Sequence, residues 1–161
     1  MPERSPGHEA GDAEESRAVE YTPEAAGKVA IRDGLGRDHI DFHRGLEAYG
    51  AAKAKLFTGF APGVSVINAD DPFGARLIPA IAGPVITYGL DETSAVRAVE
   101  IVADAAGTRF VMIAEGRQLP IVSLLIGAHN VANILAAAAA ARALGLSWDA
   151  VQAGVAACAL V

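Results

Sequence analysis

The chain has 161 residues, 52% hydrophobic, 20% charged and 6% aromatic, with a formal net charge of −6. That is about one domain's length, enough to bury a real core, and the acidic balance excludes a nucleic-acid binder that depends on a basic face. The single cysteine, Cys158, excludes an internal disulfide framework and fits a reducing cytoplasm.

Residues 1–27 carry almost no aliphatic side chains and many Glu, Gly and Pro. Such a segment cannot bury enough apolar surface to offset its ordering entropy, so disorder is expected there. The same stretch is polar and acidic with no apolar h-region, so no signal peptide is expected. From Lys28 the texture changes, and residues 28–161 are expected to form an incomplete domain. Val29 to Ile31 predicts a short strand, followed by a glycine-bearing loop, DGLGRDH. Leu46 to Phe57 has helical spacing. VSVIN (64–68) is a β-branched run, and DPFGARLIPAIA predicts a helix with Asp71 as N-cap and Pro72 in the first helical position. VITYG (85–89) reads as another buried strand. This rhythm predicts a parallel α/β sheet.

After Gly89, AVRAVEIVAD, TRFVMIAE and LPIVSLLI follow one another across Ala-Gly and Glu-Gly-Arg turn signals, which predicts an antiparallel meander. IGAHNVANILAAAAAARALG then reads as a helix closed by Gly145, and Ser147 caps a last helix. The alanine-rich stretch from Ile134 to Leu144 is too short for a membrane span and reads as buried. There is no internal repeat. The expected fold class is α/β: a mostly parallel sheet with flanking helices plus a small antiparallel β patch.

Two features carry chemistry. Asp38, His39, Asp41 and His43 crowd into six positions. In an extended segment residues 39, 41 and 43 share one side, as metal ligands do; the plain alternative is a polar loop capping a helix start. The spacing fits no zinc signature. On a helical wheel Lys53 falls within the apolar stripe of Leu46, Tyr49, Leu56 and Phe57, while Lys55 points away. An ammonium there is costly to bury. Either its stem snorkels to the edge, or its neutral amine adds carbon dioxide to give a carbamate, an anion able to ligate a hard cation.

RDHIDFHRGLEAYGAAKAKLF (37–57), VINADDPFGARL (66–77) and GAHNVANILAAAAAARALG (127–145) stand in one order. Together they resemble the central ATP-binding domain of the Mur ligases, on the UDP-N-acetylmuramoyl-tripeptide synthetase branch, over roughly residues 34–161. The resemblance implies an ATP-dependent ligase that activates the D-glutamate carboxylate of UDP-MurNAc-L-Ala-D-Glu as an acyl phosphate, which the amine of a diamino acid then attacks. It implies that His39 and a carbamylated Lys53 hold Mg2+, and that Asn130 and Asn133 lie against the adenine of ATP. An amide that both donates and accepts suits the adenine edge; the alternative for Asn130 is a simple N-cap. Asn68, Asp70 and Asp71 end a strand and open a helix, where ligand sites often lie in α/β sheets, with Asp71 mainly a cap.

The 161 residues contain no G-x-x-x-x-G-K-[ST] phosphate loop, and the family's glutamate-serine segment and C-terminal domain have no counterpart. Gly34 stands where the family motif carries Asn. The expectation is therefore a fragment that is inactive by itself. A non-catalytic truncated paralogue with weak nucleotide binding is the alternative, and a small metal-dependent hydrolase built on the Asp-His cluster a more distant one.

Overall fold

The computed structural model of the chain describes residues 29–32, 51, 53–60 and 62–158. Six strands form one sheet in sequence order: β1 (Val29–Arg32), β2 (Val64–Asn68), β3 (Val85–Gly89), β4 (Val96–Asp104), β5 (Gly107–Ala114) and β6 (Arg117–Ser123). β1, β2, β3 and β4 pair in parallel, and β4, β5 and β6 antiparallel. The helices are α1, described over residues 53–58, α2 (Pro72–Leu77), α3 (Ala128–Ala143) and α4 (Trp148–Ala157). The α/β class and its parallel-then-antiparallel order follow the sequence expectation. The antiparallel strands are not a separate patch but the continuation of the same sheet.

Strand alternation sorts the side chains onto two faces. Val66, Tyr88, Val96, Ala98, Phe110 and Met112 pack against α3 and α4 in the larger core. Ala30 and Ile67 face the other way and meet Phe57 of α1 and Leu77 of α2. α3 is apolar on most sides because it lies between the sheet and α4, packing on β1 to β4 and on α4. Its alanines let the backbones approach closely, and Ala138 and Ala139 are buried.

The helix ends follow local chemistry. Asp71 accepts hydrogen bonds from Phe73 N at 3.3 Å and Gly74 N at 3.2 Å, as an N-cap should. The α-helix stops at Leu77 and the chain continues as a 3-10 turn over Ile78–Ala80, shorter than the expected helix through Ala82. Pro79 is the reason: it has no N–H to donate back into the helix. α3 ends as expected at Gly145, whose φ is 89°. Gly145 N donates to Arg142 O and Leu146 N to Ala141 O, the paired bonds of a Schellman ending. Ser147 Oγ accepts from Ala150 N at 3.2 Å and opens α4.

β6 begins at Arg117, earlier than expected, and ends at Ser123. Glu115 and Gly116 alone make the β5–β6 turn, both with positive φ (51° and 72°), as a two-residue hairpin of right-handed twist requires. In β4 the register slips between Val99 and Val102, where Glu100 takes φ 54°; this is a β-bulge.

Candidate functional site

Open α/β sheets present ligands at the carboxyl ends of their parallel strands. Here β2 ends in Asn68, and its side-chain oxygen accepts from Asp70 N at 3.0 Å, holding a tight turn. Asp70 reaches across to the end of β3, where Leu90 N donates to it at 2.7 Å and Asp91 N at 3.3 Å. Gly89 is needed beneath it, since a Cβ there would stand 2.6 Å from Asp70 Oδ1. Asp91 in turn accepts from Thr93 Oγ1 at 2.6 Å and Thr93 N at 2.8 Å. Those hydrogen bonds hold its carboxyl below the usual carboxylate range.

The first turn of α3 stands beside these loops, with Gly127 and Ala128 sharing a cavity wall with Asp70, Gly89 and Leu90. Gly127 is the N-cap residue, at φ 108°, so neither asparagine is the cap. Asn130 instead donates its amide back to Ile126 O at 2.9 Å. Asn133, one turn on, is exposed. It lines an apolar cavity of about 370 Å³ between α3 and α4, together with Leu125, Ala137, Val155 and Cys158. The two asparagines therefore sit near one helix start but face different tasks: one is tied to the backbone, the other is open to a cavity.

Lys53 lies in α1 and is half-buried, whereas Lys55 is exposed. The helix packs through Phe57, with Ala54 and Leu56 partly buried beside it. This is the asymmetry expected from the wheel. His39, Asp38, Asp41 and His43 lie outside the described residues, as do the loop DGLGRDH and residues 1–27. Among the described residues no group of three or more His, Cys, Asp or Glu could hold a metal.

Sequence reasoning missed two relationships. Asp70 spans twenty residues to reach Leu90, and no local pattern announces that contact, although the Asn-Ala-Asp-Asp string marks the place. Glu115, which reads as an ordinary turn residue, joins Arg142 and Trp148. Ion pairs between distant elements leave no period in a sequence.

With this geometry in place, comparison with known proteins is decisive for class. The Mur ligase middle domain matches residues 10–141, and the chain belongs to the Mur ligase family. It is 40% identical over 134 residues to the UDP-N-acetylmuramoyl-L-alanyl-D-glutamate--2,6-diaminopimelate ligase of Geobacter metallireducens, covering 79% of this chain and 26% of that protein. It is 42% identical over 134 residues to the ligase of the same name from Geobacter sulfurreducens, with the same coverages. A solved structure of a ligase of that name superposes with a TM-score of 0.71 at 31% identity, over 80% of this chain and 27% of the other. The chain thus spans about a quarter of the length of the curated relatives it matches. Among the described residues no helix is long and apolar enough to cross a membrane.

Proposed function

We propose that this chain is part of an ATP-dependent amide ligase that joins a diamino acid to UDP-MurNAc-L-Ala-D-Glu in the making of peptidoglycan precursors. In that reaction the D-glutamate carboxylate takes the terminal phosphoryl group of ATP, releasing ADP. The amine of the diamino acid then attacks the acyl phosphate and expels phosphate. The reading rests on membership of the Mur ligase family and on the names of the relatives.

Within this chain, Lys53 and His39 are assigned to hold Mg2+, and Asn130 and Asn133 to hold the adenine of ATP. Magnesium, when bound, supplies positive charge against the phosphate oxygens. The Lys53 amine suits that role as a carbamate: it adds carbon dioxide, loses one proton, and becomes an anion with two oxygen donors.

Asn133 is the single observation that best supports the nucleotide assignment. Its amide opens on an apolar cavity, so a base can pair at one edge and lie against aliphatic walls. Asn130 contributes differently, since one of its two amide N–H groups is given to Ile126 O, which leaves its oxygen to accept from an adenine amine and the second N–H to donate.

The test uses the chain with 13C-labelled bicarbonate and Mg-ATP. A carbamate carbon signal that disappears in Lys53→Arg, and Mg-ATP shifts on α3 that weaken at least about tenfold in Asn133→Ala, are the expected results. A chain with no carbamate signal and no response of α3 to Mg-ATP would sink the reading. Cytoplasmic placement belongs to the same proposal.

A further inference from the structure

Gly154 lies inside α4, which runs from Trp148 to Ala157. Glycine in a helix interior gives up stability, because it has the most backbone freedom to lose and no side chain to pack. Elsewhere in the fold the glycines have a local reason. Five take positive φ, and at Gly59, Gly74 and Gly83 a Cβ would crowd a backbone oxygen. Gly154 has neither reason: its backbone is helical, and a Cβ built on it meets no atom of the described residues within 4 Å.

Gly154 forms part of the wall of the 370 Å³ cavity that Asn133 lines from α3. Ala150, Val151 and Val155 line it from α4 as well, so this face of the helix is turned to the cavity. Alanine at 154 would therefore clash with nothing and would make the better helix. What glycine provides is a stretch of bare backbone on the cavity wall. A flat group can lie closer to bare backbone than to any side chain, and a ring in such contact gains dispersion over its whole face. Asn133, on the neighbouring helix, supplies the polar group that the edge of such a ring needs.

We infer that Gly154 is a specificity-determining residue of the nucleotide site, keeping open the place where a planar base lies against α4 while Asn133 pairs with its edge. The inference rests on the nucleotide reading of the Asn133 cavity and deepens it. It makes α4, which carries none of the polar groups assigned so far, the second wall of the base site. It also accounts for a glycine that helix stability alone would replace.

Adenosine is the probe, because it presents the base without the phosphates or Mg2+. In the methyl-labelled 161-residue chain it is expected to shift the Leu125, Ile134 and Val155 methyl signals saturably. Gly154→Ala should melt about 1–4 °C above the wild type and bind adenosine at least about fivefold more weakly. Gly154→Leu should abolish binding with the fold retained, as the same spectra report. Ala153→Leu, at an exposed position outside the cavity wall, should leave binding unchanged. A glycine kept for structure alone would lose stability and binding together. A wild-type chain whose signals ignore adenosine would overturn the nucleotide reading and this inference with it. Adenosine binding that Gly154→Ala leaves unaltered, or a lower melting temperature for that variant, would overturn the inference and leave the nucleotide reading standing.

Discussion

Glu115 and Arg142 form a two-point ion pair, with Arg142 Nε 3.0 Å from Oε1 and Nη2 3.1 Å from Oε2. Trp148 Nε1 donates to Oε2 of the same carboxylate at 3.0 Å, and the Arg142 guanidinium lies over the Trp148 ring at 5.6 Å. One carboxylate thus joins the β5–β6 turn to the end of α3 and the start of α4. The arrangement holds a non-glycine residue at positive φ, a conformation with a steric cost for any side chain. Glu115 is tolerated in that turn because its carboxylate is held from two sides.

The first prediction follows from charge. The Arg142 hydrogen bond, and then that from Trp148, hold the Glu115 carboxyl below the usual glutamate range. A group depressed in the folded state stabilises it above its unfolded value, about 4.3, and loses that contribution as pH falls through the lower folded value. Glu115→Gln is therefore expected to melt below the wild type at pH 7, with the gap closing below about pH 4. The side chain is 51% exposed, so added salt should narrow the gap as well. Melting curves at several pH values and two salt concentrations check this, and a gap that widens in acid would contradict it.

Asp70 and Gly89 should behave as one unit. Gly89→Ala puts a methyl group into the Asp70 carboxylate, displacing it from Leu90 N and Asp91 N. The expected loss is about 2–3 kcal/mol, and about 1–2 kcal/mol for Asp70→Ala. The double variant loses the clash with the carboxylate but keeps the strain of a side chain at the Gly89 backbone, so its loss should fall short of the sum of the two single losses. Urea titrations of the four proteins give the coupling, and simple additivity would show that the two residues act independently.

The two asparagines separate by stability. Asn130→Ala removes a hydrogen bond to Ile126 O and should cost about 0.5–1.5 kcal/mol. Asn133→Ala, at an exposed position, should change stability by less than about 0.5 kcal/mol while weakening nucleotide binding. Equal stability losses at the two positions would mean that Asn133 is structural.

The larger core has its own test. Leu135 is fully buried between α3 and the sheet, and Leu135→Ala is expected to cost about 2–5 kcal/mol with the fold retained. A loss below about 1 kcal/mol would mean that α3 is only loosely seated.

Much of the fold was legible because its signals are local. VSVIN and VITYG announce strands by β-branching, Asp71 with Pro72 announces a helix start, and Gly145 a helix end. Pro79 lies inside the run DPFGARLIPAIA, and it ends the α-helix at Leu77, short of the expected Ala82. The β5–β6 turn was placed, but its two-residue geometry depends on Glu115 at positive φ, which a glutamate does not advertise. At the site, the contrast between Lys53 and Lys55 was readable from a wheel. The split between Asn130 and Asn133 was not, because it depends on which way the chain enters α3 from Ile126. The resemblance to the Mur ligases supplied roles that residue patterns alone left open between ligand and cap.

The junction of the two halves of the sheet has a kinetic consequence. β3 and β4 share only the pairs Tyr88↔Val96 and Gly89↔Arg97, whereas β4, β5 and β6 zip together along nearly their whole lengths. The meander closes by short turns and so costs little chain entropy to form, while the parallel β1–β2 and β2–β3 pairings must first close long connections. The meander is accordingly expected to assemble early and α3, which rests on both halves, to fuse it to the slower parallel strands. In native-state exchange the amides of β1 and β2 should then open at lower free energy than those of β5, so that the strands leading into the proposed site are the part of the sheet most readily released.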